Sequence, residues 1–345
     1  MKLAVINNCV PFVAGGAEHL AQALTRKLRE YGHEAALIRI PFQWEPPSKI
    51  VECMLACRLL RLPNVDRVVA LKFPAYYVPH PAKTLWLLHQ FRQAYDLWGT
   101  RFQSLPDNPE GRRIRDVIKE ADNFYLRQVH KIYTNSQVTS DRLKRFNGID
   151  SEVLLPPLED TSHFFCAGYD DYIFYPGRIT ASKRQHLAVE AMRHVTTDVR
   201  LVIAGQHEAP ADLAEIEAVM EQHRLTHRVQ VIPRFVSEQE KATLLSRALA
   251  CAYFPYDEDS YGYVTLEAYY SRKPVITCSD SGGICMVVKE GVTGHVVPPD
   301  PKAIAAAMDR LYSDKRVAHR MGEAGFELLR SLGIGWDRVI EAFTQ

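Results

Sequence analysis

The sequence predicts an α/β fold built from two domains, each with a parallel sheet. Strand-like apolar runs alternate with helical segments, and such alternation is typical of parallel sheets covered by helices on both faces. The alternation occurs in two sets, separated by the proline-bearing segment 156–162. A chain of 345 residues also exceeds what one core usually sustains. We therefore expect one Rossmann-like domain over residues 1–160 and a second over residues 161–334.

The predicted strands are apolar and β-branched runs bounded by turn residues. In the first domain they cover residues 3–6, 35–40, 67–71, 84–88, 131–134 and 152–155. In the second they cover residues 172–175, 199–204, 229–232, 252–254, 275–277 and 295–297, with helices at 211–224, 237–247 and 303–312. The last segment, Trp336–Thr344, has amphipathic helical spacing and follows a glycine-bearing break.

Composition narrows the function classes. A formal net charge of +1, with 24% charged residues, argues against a nucleic-acid partner and against a disordered acidic chain. The seven cysteines lack zinc-type spacing, so we expect reduced thiols, with Cys53 and Cys57 in a core. No apolar run approaches the roughly 18 residues of a membrane span, and the chain begins directly with a strand. We expect a cytoplasmic protein.

The most informative segment runs from Asp259 to Glu267, two carboxylates eight positions apart around a small-residue turn. An apolar run at 251–256 precedes it and a helix start at 265–270 follows it. A helix start presents backbone N–H groups and about half an elementary positive charge, so it favours a phosphate group. Phosphate would repel the carboxylates, which should therefore face neutral hydroxyl groups. Alternatively, Asp259 or Ser260 simply caps a solvated helix.

Two basic residues, Arg178 and Lys183, follow the predicted strand at 172–175 and precede a helix start near Gln185. Arginine offers a planar fork of donors and lysine a compact charge, so together they can neutralise a diphosphate from two directions. A solvated basic helix start is the alternative interpretation of the same residues.

The N-terminal half carries two weaker signals. A strand, a loop with Gly15 and Gly16, and a helix from Ala17 match neither G-x-G-x-x-G nor a P-loop, so both of those nucleotide sites are disfavoured. Gly16 would allow a ligand to approach the backbone closely. His89 follows the strand at 84–88, where ligands bind in open α/β sheets, although a core or rim histidine fits the same pattern.

In their order along the chain, these motifs resemble those of the family 4 type retaining glycosyltransferases (glycosyl transferases group 1), which have the GT-B fold. The segment Asp259–Glu267 resembles the family's E-x7-E region, Arg178–Lys183 its G-R-x4-K signature, and Gly15–Glu18 its G-G-x-E loop. The stretch 274–283 resembles the family's P-V-I-A-T-x-x-G-G segment. The first acid of the pair is Asp here. Because Glu258 lies one position out of register, we favour the Asp.

The resemblance implies transfer of a sugar from a nucleoside-diphosphate sugar to an acceptor hydroxyl, with retained anomeric configuration. It implies two Rossmann-like domains facing each other across a cleft, an acceptor domain at 1–160, a donor domain at 161–334, and a final helix at 335–345 that crosses back. No cofactor and no metal are expected, because the D-x-D spelling at 257–259 is interpreted as part of the E-x7-E element. The residues implied as catalytic are Arg178, Lys183, Asp259 and His89, and those implied to contact the donor are Gly16, Ser260, Tyr261, Gly262, Tyr263, Val264, Glu267 and, beside the base, Phe235.

The acceptor is less well defined by the motifs. Family frequency favours a glycan or lipid-linked saccharide in bacterial surface polysaccharide assembly. Basic and aromatic residues in 91–119 fit such an acceptor or peripheral association with the inner face of a membrane, and a solvated helical hairpin is the alternative. Three rival classes are a sugar-nucleotide epimerase, a pyridoxal-phosphate glycan phosphorylase, for which no motif is present, and a non-catalytic sugar-nucleotide-binding protein. The motifs do not distinguish the donor's nucleotide or sugar.

Overall fold

The computed structural model of the chain describes residues 1–12 and 15–345. The chain divides into two compact units, each with its own sheet. The N-terminal unit contains residues 1–159 and 334–345, and the C-terminal unit contains residues 160–333. The chain therefore leaves the N-terminal unit once and returns to it with its last residues.

The N-terminal unit alternates strands with helices. Its strands are β1 (Lys2–Cys9), β2 (Glu34–Pro41), β3 (Arg67–Ala70), β4 (Lys83–Leu87), β5 (Lys131–Thr134) and β6 (Glu152–Val153). Its helices are α1 (Gly16–Glu30), α2 (Ser48–Leu59), α3 (Pro109–Tyr125), α4 (Gln137–Asn147) and, at the end of the chain, α11 (Trp336–Thr344). Among the described residues these strands pair in parallel in the order β2-β1-β3-β4-β5-β6. The chain adds β2 on one side of β1 and the later strands on the other side, so the strand order reverses between β1 and β3.

Apolar clusters cover both faces of the N-terminal sheet. On one face, Leu24 of α1 and Phe343 of α11 belong to the same buried cluster as Val5 of β1 and Trp86 of β4. The ring centroids of Trp86 and Phe343 lie 5.3 Å apart. On the other face, α3 contributes Ile118 to a second cluster. The last helix thus packs on the N-terminal sheet, as the resemblance implied.

The C-terminal unit repeats the plan with its own strands and helices. Its strands are β7 (Tyr172–Pro176), β8 (Arg200–Ala204), β9 (Val229–Ile232), β10 (Ala250–Ala252), β11 (Val275–Cys278) and β12 (Gly294–Val297). Its helices are α5 (Gln185–Ala191), α6 (Pro210–Gln222), α7 (Glu238–Arg247), α8 (Tyr263–Tyr270), α9 (Pro301–Ser313) and α10 (Lys315–Ser331). The parallel strand order is β12-β11-β10-β7-β8-β9, so the direction reverses between β10 and β7.

Local chemistry explains where several helices begin and end. The side chain of Asn108 accepts a hydrogen bond from the Gly111 N–H at the start of α3, and Asp300 accepts one from Ala303 at the start of α9. A proline occupies the first helical position in both cases, where its missing N–H costs nothing. Helix α4 ends at Gly148, whose φ of 64° is the left-handed conformation that favours glycine.

The predicted fold class is confirmed, because both sheets are parallel and flanked by helices. Each predicted strand has an observed counterpart. The strand expected at 252–254 is β10, which ends at Ala252 although the Tyr253 N–H still bonds to the Ile276 carbonyl at 3.0 Å. Residues 91–119 do not form the alternative helical hairpin. They contain a short 3₁₀ turn, Arg92–Ala94, and the first part of α3, whose Ile118 is buried.

Candidate functional site

The predicted donor residues follow strands at the reversal point of the C-terminal sheet. Arg178 and Lys183 come after β7, and Asp259 comes after β10, the strand beside it. Strand β11, on the other side of β10, leads into Gly282 and Gly283. Parallel strands end at one edge of a sheet, and ligands bind outside that edge where the strand order reverses. The fold therefore brings these three motif segments together.

Lys183 ends a 3₁₀ turn, Ala181–Lys183, and its ammonium group contacts a phenol and a carboxylate. Its Nζ donates a 2.7 Å hydrogen bond to the Tyr253 hydroxyl and forms an ion pair with Glu258. Burial alone lowers the pKa of Lys183, but Glu258 and Tyr253 outweigh burial and raise it. Lys183 is therefore a positively charged group that already has a carboxylate partner.

Arg178 is held more loosely than Lys183. Its side chain is 46% exposed, and its guanidinium lies 3.9 Å from the carboxylate of Glu208. Its main-chain oxygen accepts a 2.8 Å hydrogen bond from the side chain of Gln185 at the start of α5. The main chain of Arg178 is fixed by this bond, while its charge stays accessible to an anion.

The two acids at the start of the D-x7-E element have different environments. Glu258 is half-buried and contacts Lys183, whereas Asp259 is buried, with 9% of its surface exposed. The structure thus assigns the contact with Lys183 to Glu258, the acid that lies one position out of the family register.

The double glycine positions these acids through backbone contacts. Gly282 has a φ of +68°, and a Cβ on it would lie 2.4 Å from the Glu258 carbonyl oxygen. A Cβ on Gly283 would lie 2.6 Å from the main chain of Ser260. The Gly283 N–H donates a 2.8 Å hydrogen bond to the Glu258 oxygen. Only a residue without a side chain fits here, which gives the glycines at the end of the 274–283 stretch a steric role.

Arg184 also holds these loops in place. The sequence analysis did not identify this residue. Its buried guanidinium donates to the carbonyl oxygens of Phe254 (2.7 Å) and Pro255 (3.1 Å). It also binds both carboxylate oxygens of Asp280, at 2.7 and 2.6 Å. It therefore joins the loop after β10 to the loop after β11. Its position directly after Lys183 in the sequence was the feature that could have pointed to it.

Helix α8 begins where the sequence predicted a phosphate-binding helix start. Its N-cap is Gly262, with a φ of +69°, and a Cβ there would lie 2.5 Å from the Tyr253 ring. The predicted contact residues Ser260, Tyr263 and Val264 are half-buried around this start, whereas the Tyr261 side chain is buried, at 1% exposure. Tyr261 therefore offers almost no accessible surface to a ligand in this structure.

Glu267, the second acid of the element, lies in a buried ion pair on α8. Its Oε1 accepts a 2.6 Å hydrogen bond from Nζ of Lys241 on α7. Burial lowers the pKa of Lys241, but Glu267 and Glu238 outweigh it and raise it. The sequence analysis missed Lys241 because it lies 26 residues from its partner, with no local pattern to link them.

Phe235 lies in the loop after β9, and its side chain is 72% exposed. Its neighbour Arg234 is paired with Glu240 through two contacts of 3.0 and 2.6 Å. Because β8 separates β9 from β7, the sheet places Phe235 apart from the Lys183 segment. Its predicted position near a nucleotide base is the least supported of the donor contacts.

In the N-terminal unit, the predicted glycine loop precedes α1 at the reversal point of that sheet. Gly16 is exposed in the first turn of α1. The Gly15 N–H donates a 2.9 Å hydrogen bond to Glu18, whose other oxygen pairs with Lys72 at 2.9 Å. Burial raises the pKa of Glu18, but Lys72 and these hydrogen bonds lower it overall. The first turn of α1 is thus tied to the segment that follows β3.

His89 is half-buried at the carboxyl end of β4. Its Nδ1 lies 2.6 Å from the main-chain oxygen of Gln90. A carbonyl oxygen can only accept a hydrogen bond, so a neutral His89 carries its proton on Nδ1, and its Nε2 is a hydrogen-bond acceptor.

A cavity of about 280 Å³ lies at the carboxyl end of β1, lined in part by Asn7, Glu18 and Arg39. Asn7 projects from the same face as Val5, because strand side chains alternate, and this face packs against α1. The Asn7 side chain is 2% exposed, and among the described residues its Oδ1 has no hydrogen-bond partner. A buried acceptor without a described partner therefore lies beside this cavity.

Residues 1–12 and 15–345 contain neither a cluster of metal-binding side chains nor a membrane-spanning helix. No group of three or more His, Cys, Asp or Glu side chains is placed to hold a metal ion. No helix in the described part of the chain has both the length and the apolar character to cross a membrane.

Several solved structures match 99% or more of the chain, and two of them are given as examples. Sucrose-phosphate synthase from Thermosynechococcus elongatus is 19% identical, with a TM-score of 0.78, and the match covers 99% of this chain and 96% of that one. HepE from Anabaena, in complex with UDP and glucose, is 14% identical, with a TM-score of 0.72 and 100% coverage of both chains. At these identities the likeness shows the fold, which is GT-B.

Curated relatives match parts of the chain. Alpha-D-kanosaminyltransferase from Streptomyces kanamyceticus is 30% identical over 225 residues, 61% of this chain and 52% of the relative. O-antigen chain mannosyltransferase C from Escherichia coli is 23% identical over 281 residues, 71% of this chain and 73% of the relative. The chain spans about half the length of several curated relatives that it matches. The family model for Glycosyl transferases group 1 matches residues 167–328, which lie within the C-terminal unit, so this unit is similar to members of that family.

Proposed function

We propose that this protein is a retaining glycosyltransferase that moves a sugar from a nucleoside-diphosphate sugar to an acceptor hydroxyl. The observation that carries the proposal is the convergence of the Arg178, Lys183 and Asp259 segments at the reversal point of the C-terminal sheet. The GT-B neighbour HepE binds UDP, which supports a nucleotide-sugar donor. The matched relatives are named as transferases, which leaves the epimerase interpretation without support.

The charges on the donor side suit a reaction in which negative charge builds up on a leaving diphosphate. Arg178, Lys183 and the N–H groups at the start of α8 would stabilise that charge more in the transition state than in the ground state. Loss of one such donor costs about 3 to 4 kcal/mol in other enzymes. Because these groups supply the compensating charge, the proposed reaction is metal-independent.

The Lys183–Glu258 ion pair adds a condition to donor binding. An incoming phosphate has to compete with Glu258 for Lys183, whereas Arg178 is exposed and only loosely paired. We therefore expect Arg178 to make the first contact with the diphosphate. Glu258 or Asp259 would then receive the hydroxyl groups of the donor sugar, and Glu267 those of the ribose.

The proposed acceptor is a glycan or lipid-linked saccharide in surface polysaccharide assembly, bound by the N-terminal unit. The relative named as an O-antigen chain mannosyltransferase supports this setting. The cavity beside Asn7 and Arg39 supports a polyhydroxylated ligand. Exposed Leu59 and Phe124 beside basic residues support peripheral association with the cytoplasmic face of a membrane, which would bring the enzyme to a lipid-linked acceptor.

A thermal-shift panel of UDP, GDP, ADP, dTDP and their sugar conjugates, run with EDTA, tests the donor site. One nucleotide series should stabilise the protein and fail to stabilise Arg178→Ala. Arg200→Ala is the matched control, because Arg200 is exposed at the amino end of β8, the opposite edge of the sheet. Absence of stabilisation by every nucleotide would refute the donor site. Binding without sugar transfer to any acceptor would favour the non-catalytic binding protein.

A second pair of variants decides which acid serves the donor sugar. Asp259→Asn and Glu258→Gln are compared for turnover and for nucleotide affinity. If Asp259 is the family's first acid, Asp259→Asn lowers turnover more than Glu258→Gln. The reverse order would show that this chain uses the shifted acid.

A further inference from the structure

A buried carboxylate in the N-terminal unit is absent from the proposed mechanism. Asp122 on α3 is fully buried and accepts hydrogen bonds from three tyrosine hydroxyls. Tyr76 and Tyr77 donate to its Oδ1 at 2.8 and 2.5 Å, and Tyr95 donates to its Oδ2 at 2.8 Å. Burial and the nearby Asp122 charge raise the pKa of Tyr76 and Tyr77, so these hydroxyls stay protonated and donate.

This arrangement is costly compared with an apolar core. Burying a carboxylate is unfavourable unless its oxygens are hydrogen-bonded, and no described lysine or arginine forms an ion pair with Asp122. Fully satisfied buried polar networks fix one arrangement of the chain that apolar packing alone would leave less defined. The hydrogen bonds of Asp122 therefore fix a particular segment of the N-terminal unit.

The hydrogen bonds continue from Tyr95 toward the candidate acceptor side. The Tyr95 hydroxyl accepts a 3.3 Å hydrogen bond from Nδ2 of Asn147, the last residue of α4. The Asn147 Oδ1 accepts one of 2.5 Å from Nε2 of Gln90. The main-chain oxygen of Gln90 in turn lies 2.6 Å from Nδ1 of His89. Tyr95, Asn147 and Gln90 are all buried.

We propose that Asp122 is a positioning residue that acts through Tyr95, Asn147 and Gln90 to hold the main chain at 89–90 and, with it, the His89 ring. Tyr76 and Tyr77 bind the Oδ1 of Asp122, and Tyr95 connects its Oδ2 to Asn147. Because this ring contact runs through the Gln90 main chain, displacement of Gln90 would weaken the hydrogen bond that keeps the proton of a neutral His89 on Nδ1. The consequence for sugar transfer rests on the proposed function, whereas the network itself does not.

Two tyrosine variants test the relay, because they remove hydroxyls from the same carboxylate. Tyr95→Phe cuts the link to Asn147 and keeps the ring that stacks on Phe146, with centroids 5.2 Å apart. Tyr76→Phe removes a hydroxyl that leads away from Asn147. Measured by hydrogen–deuterium exchange on the full chain, the peptide covering 88–91 should exchange roughly fivefold faster in Tyr95→Phe, the equivalent of one lost hydrogen bond. In Tyr76→Phe it should keep the wild-type rate.

Asp122→Asn should speed exchange both at 88–91 and at the 3₁₀ turn Ala75–Tyr77. Asp116→Asn, an exposed substitution on the same helix, should change neither. If Asp122→Asn does not fold, the tyrosine pair still decides the question. Equal exchange at 88–91 in Tyr95→Phe and Tyr76→Phe, whether raised or unchanged, would overturn the relay.

A functional measurement separates positioning from general structural damage. With the nucleotide identified by the thermal-shift panel, Tyr95→Phe should keep the wild-type affinity for that nucleotide, because Arg178, Lys183 and Glu267 lie in the C-terminal unit. Turnover should fall several-fold, as it should in His89→Gln, and the double variant should be no slower than His89→Gln. Additive losses would show that Tyr95 does not act through His89. If no nucleotide binds, the proposed function fails while the exchange result still stands.

Discussion

The two units hold their candidate functional residues with different chemistry. In the C-terminal unit, ion pairs such as Lys183–Glu258 and Lys241–Glu267 surround the predicted donor segments. In the N-terminal unit, the segment at His89 is held by hydrogen bonds between neutral groups that converge on Asp122. An ion pair can exchange one partner for an anionic ligand at modest cost. A buried network of hydrogen bonds around one carboxylate cannot open without leaving polar groups unsatisfied. The segments proposed to bind the donor are thus suited to adapt to a charged ligand, and the segment at His89 is suited to stay preformed.

The largest expected effect is the loss of the donor-side ammonium. Lys183→Ala should lower kcat/KM with the identified donor by about 10² to 10³-fold, because a charge that stabilises the leaving diphosphate is removed. Adding Glu258→Gln should recover folding stability, since it removes the carboxylate left without its lysine, but should not recover turnover. Turnover of Lys183→Ala within threefold of wild type would show that Lys183 serves Glu258 structurally and does not serve the donor.

The next largest effect concerns the backbone that supports this pair. Gly282→Ala should destabilise the protein by about 3 kcal/mol or more, because it combines a strained positive φ with a clash against the Glu258 carbonyl. Gly291→Ala is the matched control, since Gly291 has a φ of +72° and nothing within 4 Å of a Cβ. That control should cost only about 1 kcal/mol. Chemical denaturation of both variants provides the comparison, and equal losses would refute the steric role of the double glycine.

The buried carboxylate of the N-terminal unit should give stability a pH dependence of a particular sign. Burial raises the pKa of Asp122 to about 6, although the hydrogen bonds from its tyrosines oppose that rise. A raised folded-state pKa means that the native state binds the proton more tightly than the unfolded chain does. The free energy of unfolding should therefore fall by about 2 kcal/mol as the pH rises from about 4 to about 7.

Asp122→Asn should lack this fall, so the difference in unfolding free energy between it and the wild type should change over that pH window. The neighbouring cations belong to both proteins and cancel in the difference. They are Arg115, which acts on Tyr95, and Lys83, whose ammonium donates to the Tyr76 carbonyl at 2.8 Å. A difference independent of pH would show that Asp122 titrates alike in the folded and unfolded chain.

The contrast between the units also explains what the sequence could predict. Strand periodicity and β–α alternation are local patterns, and they were sufficient for the fold class. Arg178, Lys183 and Gly282 were recognisable because a charged or glycine residue at a fixed offset from a strand end is itself a local pattern. The contact of Glu258 with Lys183 was not, because which of two adjacent acids faces a lysine depends on how the main chain at 257–258 pairs with the loop after β11.

The N-terminal network could not be predicted for a related reason. Its members come from separate elements, and Asp122, Tyr95 and Asn147 have no fixed spacing that a pattern could detect. Tyrosine and aspartate are also common on helices and turns, so their presence there does not indicate a buried network. Only the burial of Asp122 distinguishes it, and burial of a single acid on an amphipathic helix depends on tertiary packing.

The smallest expected effect comes from Glu18. This residue of the N-terminal unit forms an ion pair, as the candidate residues of the C-terminal unit do. Glu18→Gln should cost about 1 kcal/mol at neutral pH, because it weakens the contact with Lys72 and the cap on the Gly15 N–H. The folded-state pKa of Glu18 is lowered, so its stabilisation is present above the unfolded-state value near 4.5 and is lost as the pH falls through the folded-state value. This sign is opposite to that of Asp122.

Glu30→Gln, on the same helix, removes an exposed pair with Lys27 and should cost less than about 0.5 kcal/mol at any pH. Denaturation at neutral and acidic pH should therefore separate the two glutamates only at neutral pH. A loss in Glu18→Gln that persists in acid would mean that packing, and not charge, holds the first turn of α1.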